Sequence, residues 1–115
     1  MKERGDKGED LVEEYLRTHG YTILERNWRW SRAEADIIAK DGDILVFVEV
    51  KTRTYPYFGQ PEDFVNERKL LMLNDLANRY MESIGHEWEI RFDLIAVILH
   101  EPYGHEIKHL KDAWY

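Results

Sequence analysis

Cysteine is absent from the 115 residues. That excludes disulfides, a thiol nucleophile and a thiolate zinc site. Long apolar runs are missing too. The longest, residues 94–99, is far shorter than a membrane span requires. The charged opening, Met1-Lys-Glu-Arg-Gly-Asp6, has no apolar stretch behind it and does not read as a signal peptide. A soluble, cytoplasmic protein with no membrane partner is the expectation. The seven glycines form no phosphate-cradling loop, and no Gly-Lys-Ser/Thr sequence occurs, which removes the nucleotide-binding motif. Ser31 and Thr52 have no histidine beside them in sequence, so nothing suggests a serine-type triad. A basic excess is also lacking. Sixteen Lys/Arg face 23 Asp/Glu, a net charge of -7, which argues against a generally basic nucleic-acid coat.

What is present suits one folded domain over residues 1–115. The length is near the commonest domain size, and 43% hydrophobic residues with 34% charged is not a disordered composition. No repeat or low-complexity segment is visible. Residues 7–19 read as a helix with Leu11, Val12, Tyr15 and Leu16 on one stripe and Gly20 as its stop. Glu9, three residues before Val12, borders that buried stripe. Residues 21–26 read as a strand continuing toward Trp30, residues 33–40 as a second, and Asp41-Gly-Asp43 as a hairpin turn. Residues 44–53 read as a third strand. Its opening, Ile44-Leu-Val-Phe-Val48, is apolar on both faces, as in the middle of a covered sheet. Residues 54–63, with Pro56, Gly59 and Pro61, read as a loop. Residues 64–84 read as a helix whose inner face is Phe64, Leu71, Leu76, Ala77, Tyr80 and Met81. Residues 89–99 make a fourth strand, and residues 105–115 a short terminal strand or helix. The order αβββαβ predicts an α/β domain, a mixed sheet flanked by helices.

The third strand carries charges that a central strand does not ordinarily tolerate. Alternation puts Glu49, Lys51 and Arg53 on one face and Val48 and Val50 on the other. A buried charge is costly unless paired or bound to metal. An ion pair between Glu49 and Lys51 at the strand's end is the plainer explanation. The second strand adds to it: Glu34 and Asp36 share a face, and the hairpin can bring Asp36 beside Glu49. Two such carboxylates repel each other unless a cation lies between them. Oxygen ligands without cysteine suit Mg²⁺ or Mn²⁺. Aspartate followed, after a hairpin, by Glu-x-Lys is the PD-(D/E)XK nuclease constellation.

The chain as a whole resembles the YraN family of bacterial proteins. The resemblance runs through Gly8-Glu9 with its helix, Arg26-Asn27 with Arg29, and Phe47-Val-Glu-Val-Lys-Thr-Arg53. It continues through Phe58-Gly59, Pro61, Val65 and Lys69, then Arg91-Phe-Asp93, and Ile107, His109 and Ala113-Trp114. One segment departs: the family usually reads Gly-Glu-Ile-Asp where this chain has Ala33-Glu34-Ala35-Asp36. The resemblance implies a restriction-endonuclease-like fold related to archaeal Holliday-junction resolvases. It implies an active site of Glu9, Asp36, Glu49 and Lys51, and it points to a homodimer, because paired cuts need paired sites. On that basis the expected activity is Mg²⁺- or Mn²⁺-dependent hydrolysis of DNA, with branched or structured DNA as candidate substrates. Asp36, Glu49 and Glu9 would hold the metal and Lys51 would position a water or phosphoryl oxygen. Glu34 would support them from behind, and Arg53 and Lys69 would contact the backbone.

Two further patterns bear on function. Arg26-Asn-Trp-Arg-Trp-Ser-Arg32 interleaves Arg26, Arg29 and Arg32 with two tryptophans and holds no acid, a pattern able to grip phosphates and stack on bases. Trp28 and Trp30 on one strand face fit a core equally well. His105-Glu-Ile-Lys-His109 matches H-E-x-x-H in form. That motif needs a helix and a third ligand, and only six residues follow His109. A binding protein with a nuclease-like fold and little or no catalysis is the main alternative.

Charge is unevenly spread. Residues 1–60 carry ten Lys/Arg against twelve Asp/Glu, and residues 61–115 carry six against eleven. The acidic surplus therefore lies mostly in the half away from the expected site.

Overall fold

In the computed structural model, which describes residues 3–56 and 67–113, the first apolar stripe winds into α1 (Glu3–Thr18). Val12 and Leu16 on that stripe are fully buried. The helix stops at Gly20, whose φ of 87° suits a residue without Cβ. There the Gly20 N–H donates to the Arg17 carbonyl (3.1 Å) and the Tyr21 N–H to the Leu16 carbonyl (2.9 Å). Gly8 sets how closely α1 lies on the sheet, because a Cβ there would stand 1.9 Å from Thr52 Oγ1. Glu9 is thereby held against the sheet.

Three strands follow: β1 (Thr22–Trp30), β2 (Ala33–Asp41) and β3 (Ile44–Thr54). After them come α2 (Glu67–Ile84), β4 (Ile90–Leu99) and β5 (His105–Leu110). The strands lie in sequence order in one five-stranded sheet. β1–β2, β2–β3 and β4–β5 are antiparallel, whereas β3 and β4 are parallel and joined through α2. The apolar run of β3 occupies the centre of the sheet, as its two-faced pattern predicts. The fold is an α/β domain with a mixed sheet, consistent with a restriction-endonuclease-like core. None of the described helices is long and apolar enough to cross a membrane.

Each helix covers one face. Val12 and Leu16 of α1 pack on Ile37, Ala39, Val46, Val48, Ile95 and Val97. Leu73, Leu76, Ala77 and Tyr80 of α2 pack on Ile38, Leu45, Phe47, Phe92 and Leu94. Leu71 is not on that inner face, being 66% exposed. At about 100° per residue it points some 200° round the helix from Leu73, so the stripe is carried by 73, 76, 77 and 80 instead. Phe64 lies outside the described residues, as do Phe58, Gly59, Pro61, Val65 and Trp114. The terminal element is a strand, so His105 and His109 are not on a helix. His109 instead bonds Asp93 of β4, with its Nε2 2.7 Å from Asp93 Oδ2.

Candidate active site

The hairpin β2–β3 opens at one end, and the charged residues sit in the opening. Its ladder runs from the turn to Ile37 opposite Val48. Beyond that pair the strands part, and a side chain takes over: the Val50 N–H donates to Asp36 Oδ2 at 2.7 Å. The backbone bends at the same place. Ala33 and Ala35 pack toward α2, while Ile37 and Ala39 pack toward α1, so alternation switches sides at Asp36. On β1, Asn27 lies between Arg26 (opposite Ile37) and Trp28 (opposite Ala35), and takes a left-handed φ of 54°. Ala33 is not among the described residues with positive φ, so this backbone needs no glycine there.

Glu49, on the face turned to α2, is 8% exposed. Two lysines meet its Oε2. Lys51 Nζ lies at 3.1 Å and Lys69 Nζ, from the first turn of α2, at 2.5 Å. Asp36 has a different environment. Its carboxyl is pushed up from 3.8 to about 7, first by burial, then by the charges of Glu49, Glu9 and Glu34, against the pull of the Val50 amide. Asp36, Glu49 and Glu34 open with Lys69, Arg32 and Arg68 onto a cleft of about 370 Å³.

The other expected residues divide. Glu34 lines the cleft and pairs with Arg29 at 3.3 Å. Glu9 acts on Asp36 through its charge while its carboxylate is held by Arg26 at 3.3 Å. Arg26 is turned to α1, where Asp10 (3.2 Å) and Glu13 (2.8 Å) also engage it. Arg53 donates to the Thr52 carbonyl at 2.8 Å. Trp28 is packed against Tyr80, ring centroids 5.0 Å apart, whereas Trp30 is 38% exposed.

The donor chemistry fits a hard divalent cation at the Asp36–Glu49 pair. Mg²⁺ keeps much of its water and is commonly held by one or two carboxylates. The suppressed acidity of Asp36 is what a nearby positive charge would relieve. No group of three His, Asp or Glu converges tightly enough to cage an ion among the described residues, so Glu9 does not complete a three-carboxylate set.

Sequence reasoning missed two features. Arg68 reaches the cleft beside Lys69, and its signal was there to read, since Arg68-Lys69 is the chain's only adjacent basic pair. On the opposite face Asp93, fully buried, is gripped by Arg91 (2.9 and 3.0 Å), by His109 and by the Asp112 N–H (3.1 Å). Arg91 also donates to the Tyr21 hydroxyl (2.8 Å), and Tyr15 hydrogen-bonds His109 Nδ1 (3.0 Å). This network ties β4, β5 and α1 together.

Fold and site together define a mixed α/β domain whose acidic and lysine side chains meet where an internal hairpin splits. The family model for the uncharacterised protein family UPF0102 matches residues 8–97. A UPF0102 protein of Christiangramia forsetii is 47% identical over 113 residues, covering 98% of this chain and 94% of the relative. One from Flavobacterium psychrophilum is 49% identical over 111 residues (96% and 92%). One from Thermodesulfovibrio yellowstonii is 42% identical over 113 residues (98% and 96%). The chain belongs to the UPF0102 family, the same family as the YraN proteins whose motifs it carries.

Proposed function

We propose that this protein hydrolyses DNA phosphodiester bonds with Mg²⁺ or Mn²⁺, cutting at branched or otherwise structured sites. The observation that carries the reading is Asp36, partly buried at the split of the hairpin, with its acidity suppressed by Glu49 and its neighbours. Asp36 and Glu49 would hold the ion. A bound divalent ion lowers the pKa of its water and stabilises charge on the phosphoryl oxygens. Lys51 would orient the attacking water, and Lys69 would meet phosphate oxygens at the mouth of the cleft. In the reaction, water oxygen bonds to phosphorus and releases a proton to solvent, the P–O bond to the departing strand breaks, and the departing oxygen takes up a proton from solvent.

The test uses linear, flapped and four-way-junction DNA with Mg²⁺, Mn²⁺ or EDTA, alongside folded Asp36→Ala and Glu49→Ala variants. We expect cleavage that needs the metal and falls by at least about 100-fold in either variant, in line with loss of a metal ligand. Cleavage that survives both substitutions would sink the site.

One observation favours a second reading, binding without catalysis. Lys51 and Lys69 already place positive charge on Glu49 Oε2. That reading expects DNA binding that persists in EDTA and no cleavage with either metal.

A further inference from the structure

A second cleft, of about 310 Å³, adjoins the first and shares Arg32, Ala33, Arg68 and Met72 with it. The two form one groove along α2, from Asp36 and Glu49 at the inner end to Trp30 at the outer. Ser31 and Arg32 make the two-residue turn between β1 and β2, with Ser31 in the left-handed region at φ 58°. That turn sets Trp30 and Arg32 on the groove's rim.

The charges along the groove are unusual for so acidic a chain. Arg17, Arg26, Arg29, Arg79 and Arg91 each pair with a carboxylate. Arg32 and Arg68 are exposed and have no ion-pair partner among the described residues. They come from distant parts of the chain and meet in the wall common to both clefts. Trp30 is the exposed aromatic beside them, and the Arg79 guanidinium lies 4.2 Å from its ring centroid. Asp75 is the one carboxylate bordering the outer cleft among the described residues.

Two arginines with no ion-pair partner among the described residues suit a phosphate, and an exposed indole suits the face of a base. A base inside a duplex is stacked on its neighbours and offers no free face. Resting on the nuclease reading for the kind of ligand, we infer that the groove binds a DNA strand carrying an unpaired nucleotide next to the scissile phosphate. Arg32 and Arg68 hold the adjoining phosphate and Trp30 stacks the unpaired base. The substrate class is therefore DNA with an overhang, a flap or an open branch, rather than continuous duplex.

Binding in EDTA tests this without cleavage. Labelled duplexes, one blunt and one with a short single-stranded overhang, are titrated by fluorescence anisotropy at several salt concentrations. Wild type should bind the overhang DNA more tightly by roughly 5- to 100-fold, the worth of one stacked base. Trp30→Ala should remove that preference and leave blunt-duplex affinity in place, while Trp30→Phe, which keeps an aromatic face and packs similarly, should retain most of it. Arg32→Ala with Arg68→Ala should weaken binding to both DNAs and flatten the salt slope by about 1.5 to 2, as for two phosphate contacts. Arg17→Ala, remote on α1, should change nothing. Equal affinity of wild type for the two DNAs, or a preference that survives Trp30→Ala, overturns the inference; if such a protein still cuts DNA, the nuclease reading stands alone. Loss of preference in Trp30→Ala with no cleavage under either metal upholds the inference and removes the nuclease reading. No binding to either DNA in EDTA overturns the inference, and the nuclease reading is then decided separately by cleavage with Mg²⁺ or Mn²⁺.

Discussion

Replacing Asp36 by Asn isolates the charge at the inner end of the cleft. Asparagine keeps an oxygen to accept the Val50 N–H, so the bond that bridges the split hairpin is retained. What disappears is a negative charge opposed by burial and by Glu49, Glu9 and Glu34. The carboxyl moves from 3.8 to about 7 on folding. At about 1.36 kcal/mol per pKa unit that is roughly 4 kcal/mol working against ionisation. Asp36 keeps some exposure, so the expected gain from removing its charge is about 2–4 kcal/mol. The pH dependence has a definite sign. Below 3.8 the proton is bound in folded and unfolded chains alike, and the carboxyl costs nothing. Above 3.8 the unfolded carboxyl ionises while the folded one resists, so wild-type stability falls as pH rises, and the penalty is complete only above about 7. Urea unfolding in EDTA from pH 4 to 8 should show Asp36→Asn level with wild type at the acid end and more stable at pH 8. Adding Mn²⁺ should stabilise wild type by about 2.7 kcal/mol at a hundredfold excess over its Kd and leave the variant nearly unmoved. A variant no more stable than wild type at pH 8, or a difference constant across the range, would refute this account of the carboxylate.

Two other perturbations probe the scaffold. Gly8→Ala places a Cβ 1.9 Å from Thr52 Oγ1 and 3.1 Å from its Cβ, and should cost about 1–3 kcal/mol in urea unfolding. Combining it with Thr52→Ala should recover most of that loss, whereas simple additivity of the two would show that the contact is not the cause. Asp93→Asn leaves the Arg91 guanidinium without its main buried counter-charge and should cost about 3–5 kcal/mol. Burial raises the Asp93 carboxyl, but His109, Arg91 and the Asp112 amide outweigh it and hold it below 3.8. Its contribution is therefore present above 3.8 and lost as pH falls through the lower folded value, so acid unfolding should be steeper in wild type than in Asp93→Asn. Equal slopes would refute that assignment.

The parts of the structure that were legible in the sequence depend on neighbours or on one hairpin. The apolar run of β3 announced a central strand, and Glu49 and Lys51 stood out because a strand interior does not bear charge cheaply. Asp36 followed because a tight turn leaves little choice about what it faces. Arg26 shows where such reasoning stops. Its segment holds no acid, yet α1 crosses over it and delivers Glu9, Asp10 and Glu13 from 13 to 17 residues upstream. The Arg91–Asp93–His109 network likewise needs the β4–β5 pairing and α1 before it exists, and no local pattern records that. Leu71 failed for a smaller reason, since the rotation of α2 is set by the sheet beneath it and not by how many apolar residues it carries. These cases bear on how an acidic protein meets an anion. With a net charge of -7, what matters is not the local density of arginine but which arginines folding leaves without acids. Folding pairs Arg26 and Arg29, the first two of the acid-free strip, and leaves Arg32 beside Arg68, 36 positions away in the chain. Two arginines with no ion-pair partner among the described residues thereby meet in one groove whose inner end holds Asp36 and Glu49, which is where the proposed DNA strand would enter.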